Sequence, residues 1–358
     1  MQSPRIGRAT IAALVLALCT ACLGGKNFQV PVRYSAEEVP AAVEQARAEI
    51  EEPGGSEAAV ERMRVAALTP GLDAGLRVQV QRLLESAVEQ RIVELESSGS
   101  YPKDLQDLSE LAVARRLAVR AGIASARAWR DKQERVKCFR QIRSLDERFP
   151  LHSLRGEAGE LLAEVGLSLA YDKRTYGWFF RYRALAPQIL EYLVTEYPSD
   201  PRGAEALTVL AGIYEDSNEL DLALQRHEDL LLYFPEDEAA PISRASIPRI
   251  RLAKLASPEY DRSAMEEARL EIDEWLSNFP NHPHRPEMEL LLVDCLGRLA
   301  DNDLVVARFY DTVGSPTGSE YHARRALGLA REAGSPRLIE DATATLAKAV
   351  SKQDGEAQ

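Results

Sequence analysis

The sequence predicts an all-α fold in which helical hairpins stack one on the next. Three observations carry that expectation. Runs of alternating β-branched residues are lacking outside a short FQVPVRY at 28–34. Apolar residues recur instead at helical spacing, as in Leu83, Leu84, Ala87, Val88, Ile92 and Leu95. An aromatic–proline pair also returns four times, at Phe149-Pro150, Tyr197-Pro198, Phe234-Pro235 and Phe279-Pro280. Proline lacks the N–H that a helix needs and clashes with the preceding turn, so each pair marks the end of a repeated helical unit.

Taken in order, the chain opens with Arg5 and Arg8, no acid, and an apolar run over 9–18 that is too short to span a bilayer. A basic start, a short apolar core and the small residues Thr20 and Ala21 predict a signal peptide over 1–21. The following residue is Cys22, and CTAC at 19–22 resembles the bacterial lipobox, although Cys19 stands where that pattern prefers Leu, Val or Ile. The resemblance implies a diacylglyceryl thioether on Cys22. With acyl chains contributing ~0.8 kcal/mol per buried methylene, two or more anchor a protein durably. Leu23 stands where an inner-membrane retention signal would place Asp, which favours the outer membrane. Removing Arg5 and Arg8 with the leader leaves 42 Lys and Arg against 56 acids. A balance of −14 argues against nucleic-acid binding and against adhesion to anionic lipid.

Residues 22–100 are expected to form a tether and helical extension, punctuated by EEPGGS (51–56), LTPG (68–71) and SSGSYP (97–102). The repeat region is assigned to 101–345. A 34-residue tetratricopeptide unit ending on Pro235 places Leu207, Leu210, Ala211 and Tyr214 on its first helix, with Ala223 and Leu230 on its second. The same phase from Pro280 aligns Leu252, Leu255, Ala256, Ala268 and Ile272. From Pro150 it aligns Gly122, Ala126, Trp129, Cys138, Ile142 and Leu145. These reproduce the large–small–large packing of a tetratricopeptide-like α-solenoid, a superhelix of hairpins with a concave face. The spacings of 48, 37 and 45 residues place insertions near 171–183 and 257–262. The polar end, 346–358, is expected to be disordered.

The stretch EEARLEIDEWLSNFPNHPHRPEMELLLVDCLGRLADNDLVVARFYDTVG (266–314) resembles the BamD-type outer-membrane assembly lipoproteins. In that family a helix after the aromatic–proline turn is followed by a further helix similar to Asp303–Tyr310 with Gly314, and then by one similar to Ala323-Arg324-Arg325. The resemblance covers roughly 115–345. It implies a non-catalytic scaffold on the periplasmic side of the outer membrane. Such a scaffold contacts the β-barrel assembly subunit through its C-terminal repeats and receives unfolded outer-membrane proteins in an N-terminal groove. It needs no cofactor. A tetratricopeptide lipoprotein adaptor of another envelope machine (secretion, pilus or cell wall) is the alternative. The long N-terminal extension and an aromatic-rich insert favour it.

Candidate positions follow from both lines of reasoning. Arg120, Ile123, Arg127 and Arg130 share one helical stripe, and three guanidiniums there suit a peptide carboxylate; a solvated face balanced by nearby acids is the other reading. Residues 171–182 hold six of the chain's 23 aromatics, with Tyr176, Trp178, Phe179 and Phe180 as candidate partner contacts and self-packing as the other reading. The resemblance adds Arg308, Tyr310, Arg324 and Arg325 as partner contacts. His282 and His284 in NHPHRPE (281–287) have a spacing seen at metal sites, but no third ligand stands nearby, and their place predicts an inter-repeat turn. Beyond the leader only Cys138 and Cys295 remain, both expected as small buried hydrophobes. Phosphate-loop, HExxH and GxSxG patterns are missing, and no histidine stands beside an obvious nucleophile. The sequence therefore points away from an enzyme.

Overall fold

A computed structural model describes residues 34–99, 101–111, 113–172, 175–176, 180–255, 257 and 262–356. Among them lie fifteen α-helices, one 3₁₀ turn and a single two-residue antiparallel pairing. The fold is all-α, with helical hairpins packed in sequence as an α-solenoid. No helix among the described residues is long and apolar enough to cross a membrane. The leader, Cys22 and most of FQVPVRY lie outside the described residues.

The chain divides into two compact units, 1–121 and 122–358. In the first, α1 (Val39–Glu51), α2 (Ser56–Ala67) and α3 (Ala74–Ser98) pack on one another, and α4 (Pro102–Glu110) packs on α3. Their core is Val39, Val43, Ala59, Met63, Leu84, Val88, Ile92 and Leu95, the last four at the helical spacing read from sequence. The expected boundary at 100/101 is therefore corrected to 121/122. Leu105 and Leu108 of α4 are buried within this unit, and Arg116 and Arg120 at the start of α5 (Arg115–Asp131) pair with Glu89 and Glu96 of α3.

The second unit continues through α6 (Arg135–Arg148), α7 (Arg155–Ala170), α8 (Ala186–Glu196), α9 (Gly203–Asp216), α10 (Leu220–Tyr233), α11 (Ala240–Lys254), α12 (Arg262–Asn278), α13 (Arg285–Thr312), α14 (Pro316–Glu332) and α15 (Pro336–Glu356). From α6 on, each helix packs on its sequence neighbours, and α7 on α9, α11 on α13 and α13 on α15 add the next-but-one contacts of a solenoid. Every repeat position named above from Gly122 through Leu145, and Leu207, Leu210, Ala211, Ala223, Leu230, Leu252, Ala268 and Ile272, is buried. Tyr214 and Leu255 are half-buried, and Ala256 lies outside the described residues. Cys138 and Cys295 are free, buried thiols.

Two kinds of turn separate the helices. One kind ends α5, α9, α13 and α14 with a residue of positive φ: Gln133, Asn218, Gly314 and Gly334. The next amide then reaches back to the carbonyl five residues earlier, as in Ser315 N to Tyr310 O at 2.9 Å, which satisfies an orphaned helix-end carbonyl. The other kind is the aromatic–proline stop. Phe149, Tyr197 and Phe234 adopt nearly one conformation, φ −134, −128 and −134°, ψ 67, 53 and 55°. Proline disfavours the helical region in the residue before it, so the helix ends there. The aromatic amide still donates to the carbonyl four residues back, at 2.8 to 2.9 Å in all four copies.

These stops contain a second rule that the sequence reading missed. Three residues after each aromatic stands His152, Asp200, Asp237 or His282, and its side chain accepts the backbone N–H two residues on. That local acceptor shapes the turn into the next helix, the role an Asx turn plays.

Two further expectations change. The Asp303–Tyr310 segment is no separate helix, because α13 runs unbroken through 28 residues. The tail beyond 345 is not disordered: α15 continues to Glu356, Ala349 is buried, and Lys348 Nζ lies 2.7 Å from Asp311 Oδ2, with Lys352 on the other oxygen. Within the 171–183 insertion, Thr175 pairs with Arg181 and Tyr176 with Phe180 in the two-residue ladder.

Candidate functional site

The α13–α14 hairpin carries several exposed large apolar side chains. On α13, Phe309 and Val313 stand four residues apart, hence on one face, and are 60% and 57% exposed. Tyr321 of α14 is 58% exposed. A run of rings joins them: Phe309 to Tyr310 at 5.7 Å, Tyr310 stacked on His322 at 5.6 Å and 11°, and His322 edge-on to Tyr321 at 5.1 Å.

The hairpin beneath this surface is held rigidly. Gly318 lets the Tyr310 ring lie against the α14 backbone, since a Cβ there would meet ring carbons at 2.6 Å. Asp303 is fully buried and ties three helices. Its Oδ1 lies 2.8 Å from His322 Nδ1 of α14, and its Oδ2 lies 3.0 Å from an Arg262 nitrogen of α12 and 3.7 Å from Arg325 Nε. A buried carboxylate needs such partners, because leaving one uncompensated costs several kcal/mol.

The candidates taken from the resemblance therefore separate. Arg308 is exposed and makes no ion pair among the described residues. Arg324 is exposed but hydrogen-bonds Glu320 at 2.8 Å. Tyr310 and Arg325 are half-buried, the first clamped on α14 and the second turned to Asp303, Glu266 and the Tyr321 ring. Phe309, Val313 and Tyr321 were not singled out from sequence. The i,i+4 pair Phe309/Val313 was a legible signal, passed over because core and surface apolar stripes look alike.

The arginine stripe does not survive as a peptide clamp. Ile123 is buried at 1% exposure, so it belongs to the core and not to a groove. Arg120 pairs with Glu96 at 3.1 Å, Arg127 with Glu157, and Arg130 with Glu164 at 2.7 Å. Acids of neighbouring helices already occupy the guanidiniums. In the aromatic insert, Tyr176 and Phe180 are placed by their backbone alone, and Trp178 and Phe179 lie outside the described residues. His282 Nδ1 accepts the His284 amide at 3.2 Å, and the ring packs edge-on to Trp275 and Phe279. This histidine is a turn element.

One arrangement was invisible in sequence. His227 of α10 lies between Ser243 Oγ of α11, 3.1 Å from Nδ1, and Glu215 Oε1 of α9, 3.1 Å from Nε2; Arg249 holds the other Glu215 oxygen at 2.7 Å. Serine, histidine and a carboxylate in a row suggest nucleophilic catalysis, but Ser243 is 1% exposed. With Ser243 and His227 both buried, the row ties three helices together.

No protein-family model matches the chain, and no curated protein matches it. The α13–α14 surface presents an aromatic and aliphatic face on a rigid hairpin, beside Arg308, which makes no ion pair among the described residues.

Proposed function

We propose that the chain is an outer-membrane-anchored scaffold lipoprotein of the BamD type. It faces the periplasm and helps assemble β-barrel outer-membrane proteins through protein contacts alone. The observation that carries this reading is the exposed Phe309, Val313 and Tyr321 face beside Arg308, which is exposed and makes no ion pair among the described residues. It falls in the same segment whose residues resemble that family, on the hairpin expected to meet the barrel-assembly subunit. Aromatic anchors beside arginine are the composition of interface hot spots. The CTAC at 19–22 supports the anchor, with Cys22 as the lipidated residue.

Affinity purification from a solubilised bacterial envelope tests it. The wild-type chain is expected to retain the barrel-assembly subunit, the Arg308→Ala/Phe309→Ala variant to lose most of it, and depletion to lower outer-membrane barrel levels. Cys22→Ser is expected to move the protein from the membrane to the soluble fraction. Recovery of a different envelope complex, with barrel levels unchanged, would replace this reading by the adaptor. That second reading has its own support, since residues up to 121 form a unit with a separate core outside most of the stretch that carries the resemblance.

A further inference from the structure

A cavity of about 130 Å³ opens where α10, α11 and α12 meet, away from the α13–α14 surface. Its lining combines apolar Leu231, Ile247, Trp275 and Phe279 with polar Arg244, Glu271, Glu274 and Asn278. Trp275 is fixed in place, its Nε1 donating to the Pro241 carbonyl at 2.7 Å.

The Glu271 carboxylate is only half satisfied. One oxygen receives Arg251, while Oε2 is buried and has no hydrogen-bond partner. A buried acceptor without a donor costs about 1–3 kcal/mol, so this carboxylate is under-neutralised beside the cavity. Burial, opposed by Arg251 but joined by the nearby Glu267, Glu228 and Glu274, pushes the Glu271 pKa above its ordinary value. A further acceptor lies on α11: Pro248 has no N–H, so the Arg244 carbonyl lacks the helical donor it would otherwise receive.

We propose that this cavity receives a lysine or arginine side chain from a polypeptide partner. The aliphatic stem lies along Ile247, Trp275 and Phe279, and the cationic head lies at the carboxylates of Glu271 and Glu274, one helical turn apart on the cavity lining. Long cationic side chains bury their methylenes and keep the charge among polar groups, and this lining offers both kinds of surface. The volume suits one such side chain, and exposed Leu232, Tyr233 and Ile242 at the same end of the α10–α11 hairpin offer apolar surface for the flanking residues. A polypeptide therefore fits better than a free amine. The site is independent of the proposed function and would serve any client or partner carrying the basic residue.

The test uses the purified full chain with indole-¹⁵N tryptophan, titrated with N-acetyl-lysine methylamide, its norleucine counterpart and the arginine form. The Trp275 indole resonance is expected to shift saturably with the lysine and arginine probes, with a dissociation constant of ~1–10 mM, and not with norleucine. Glu271→Gln, which keeps the shape, should weaken binding at least ~10-fold. Glu274→Gln, at an exposed position, should weaken it several-fold and supplies the result should the first variant fail to fold. Equal response to norleucine, no saturable shift with any probe, or unchanged binding in the folded variants would overturn the proposal.

Discussion

Asp146 shows how a single residue decides a junction between repeats. Its carboxylate is buried near the end of α6 and accepts the hydroxyls of Tyr192 at 2.8 Å and Tyr197 at 2.6 Å, while His152 Nε2 lies at 3.2 Å and Arg155 at 3.5 Å. Burial first, and then the hydrogen bond to this carboxylate, push both phenol pKa values far above normal, so the hydroxyls stay protonated donors. Asp146→Ala strands two tyrosines, a histidine and an arginine at once, and breaking a buried charge pair in this way costs ~3–5 kcal/mol. Urea unfolding should show that loss, and a change below ~1 kcal/mol would mean that the network is solvated. His227 makes the residue scale pH-sensitive. Burial is the largest influence on it, outweighs the opposing hydrogen bond to Glu215, and sets its pKa below 6.5. The folded chain thus binds fewer protons there than the unfolded chain. Its contribution is complete above pH 6.5 and declines as pH falls below that value. Glu215, held below 4.5 by His227 and Arg249 although burial opposes them, loses its contribution only at lower pH. His227→Gln should therefore flatten the change in urea midpoint between about pH 7.5 and about pH 5.5. An unchanged slope would remove His227 as its source.

At the scale of elements, close helix crossings depend on glycine at particular points. A Cβ on Gly166 of α7 would stand 2.5 Å from Leu190 Cδ2 and 3.3 Å from Ile189 Cγ2 of α8, both side chains wholly buried. Overpacking costs ~1–3 kcal/mol, against a propensity gain of ~1 kcal/mol for replacing a helical glycine, so Gly166→Ala should be neutral to destabilising by up to ~2 kcal/mol. Gly212 on α9 has open space around it, and there the same change should stabilise by ~0.5–1 kcal/mol. Thermal unfolding should rise for Gly212→Ala and stay level or fall for Gly166→Ala; equal shifts would break the packing argument. The helices themselves were legible because proline and apolar periodicity act locally. Phe149, Tyr197, Phe234 and Phe279 marked helix ends for a backbone reason that needs no tertiary context. The residue three places on escaped notice because aspartate and histidine are different residue types sharing one geometric act, accepting an amide. The continuity of α13 was hidden for the converse reason. Nothing between Arg285 and Thr312 forbids or demands a break, so neighbouring helices decide it. The site was legible by region and not by residue: Arg308 stands exposed, whereas Tyr310 is clamped by Gly318, a contact no spacing encodes. Ser243, His227 and Glu215 meet only because three helices bring them together.

For the unit from Gly122 onward, the sequential packing determines how far a local injury is felt. In a stack where each hairpin touches only its neighbours, stability is a sum of repeat and interface contributions, and coupling fades with the number of interfaces crossed. Asp146 joins α6, the α6–α7 turn, α7 and α8, and several helices separate it from α13–α15. The C-terminal helices have their own anchors, Asp303 among α12, α13 and α14, and Asp311 with Lys348 and Lys352 between α13 and α15. Asp146→Ala should therefore raise amide exchange strongly, by ~100-fold, in α6–α8 and only a few-fold in α13–α15. Hydrogen-exchange mass spectrometry resolves peptides of that length. The α13–α14 hairpin would then keep its rigidity while a distant repeat opens. A uniform rise across all these helices would show instead that the unit unfolds as one cooperative body, and the nearest-neighbour account of its stability would fall with it.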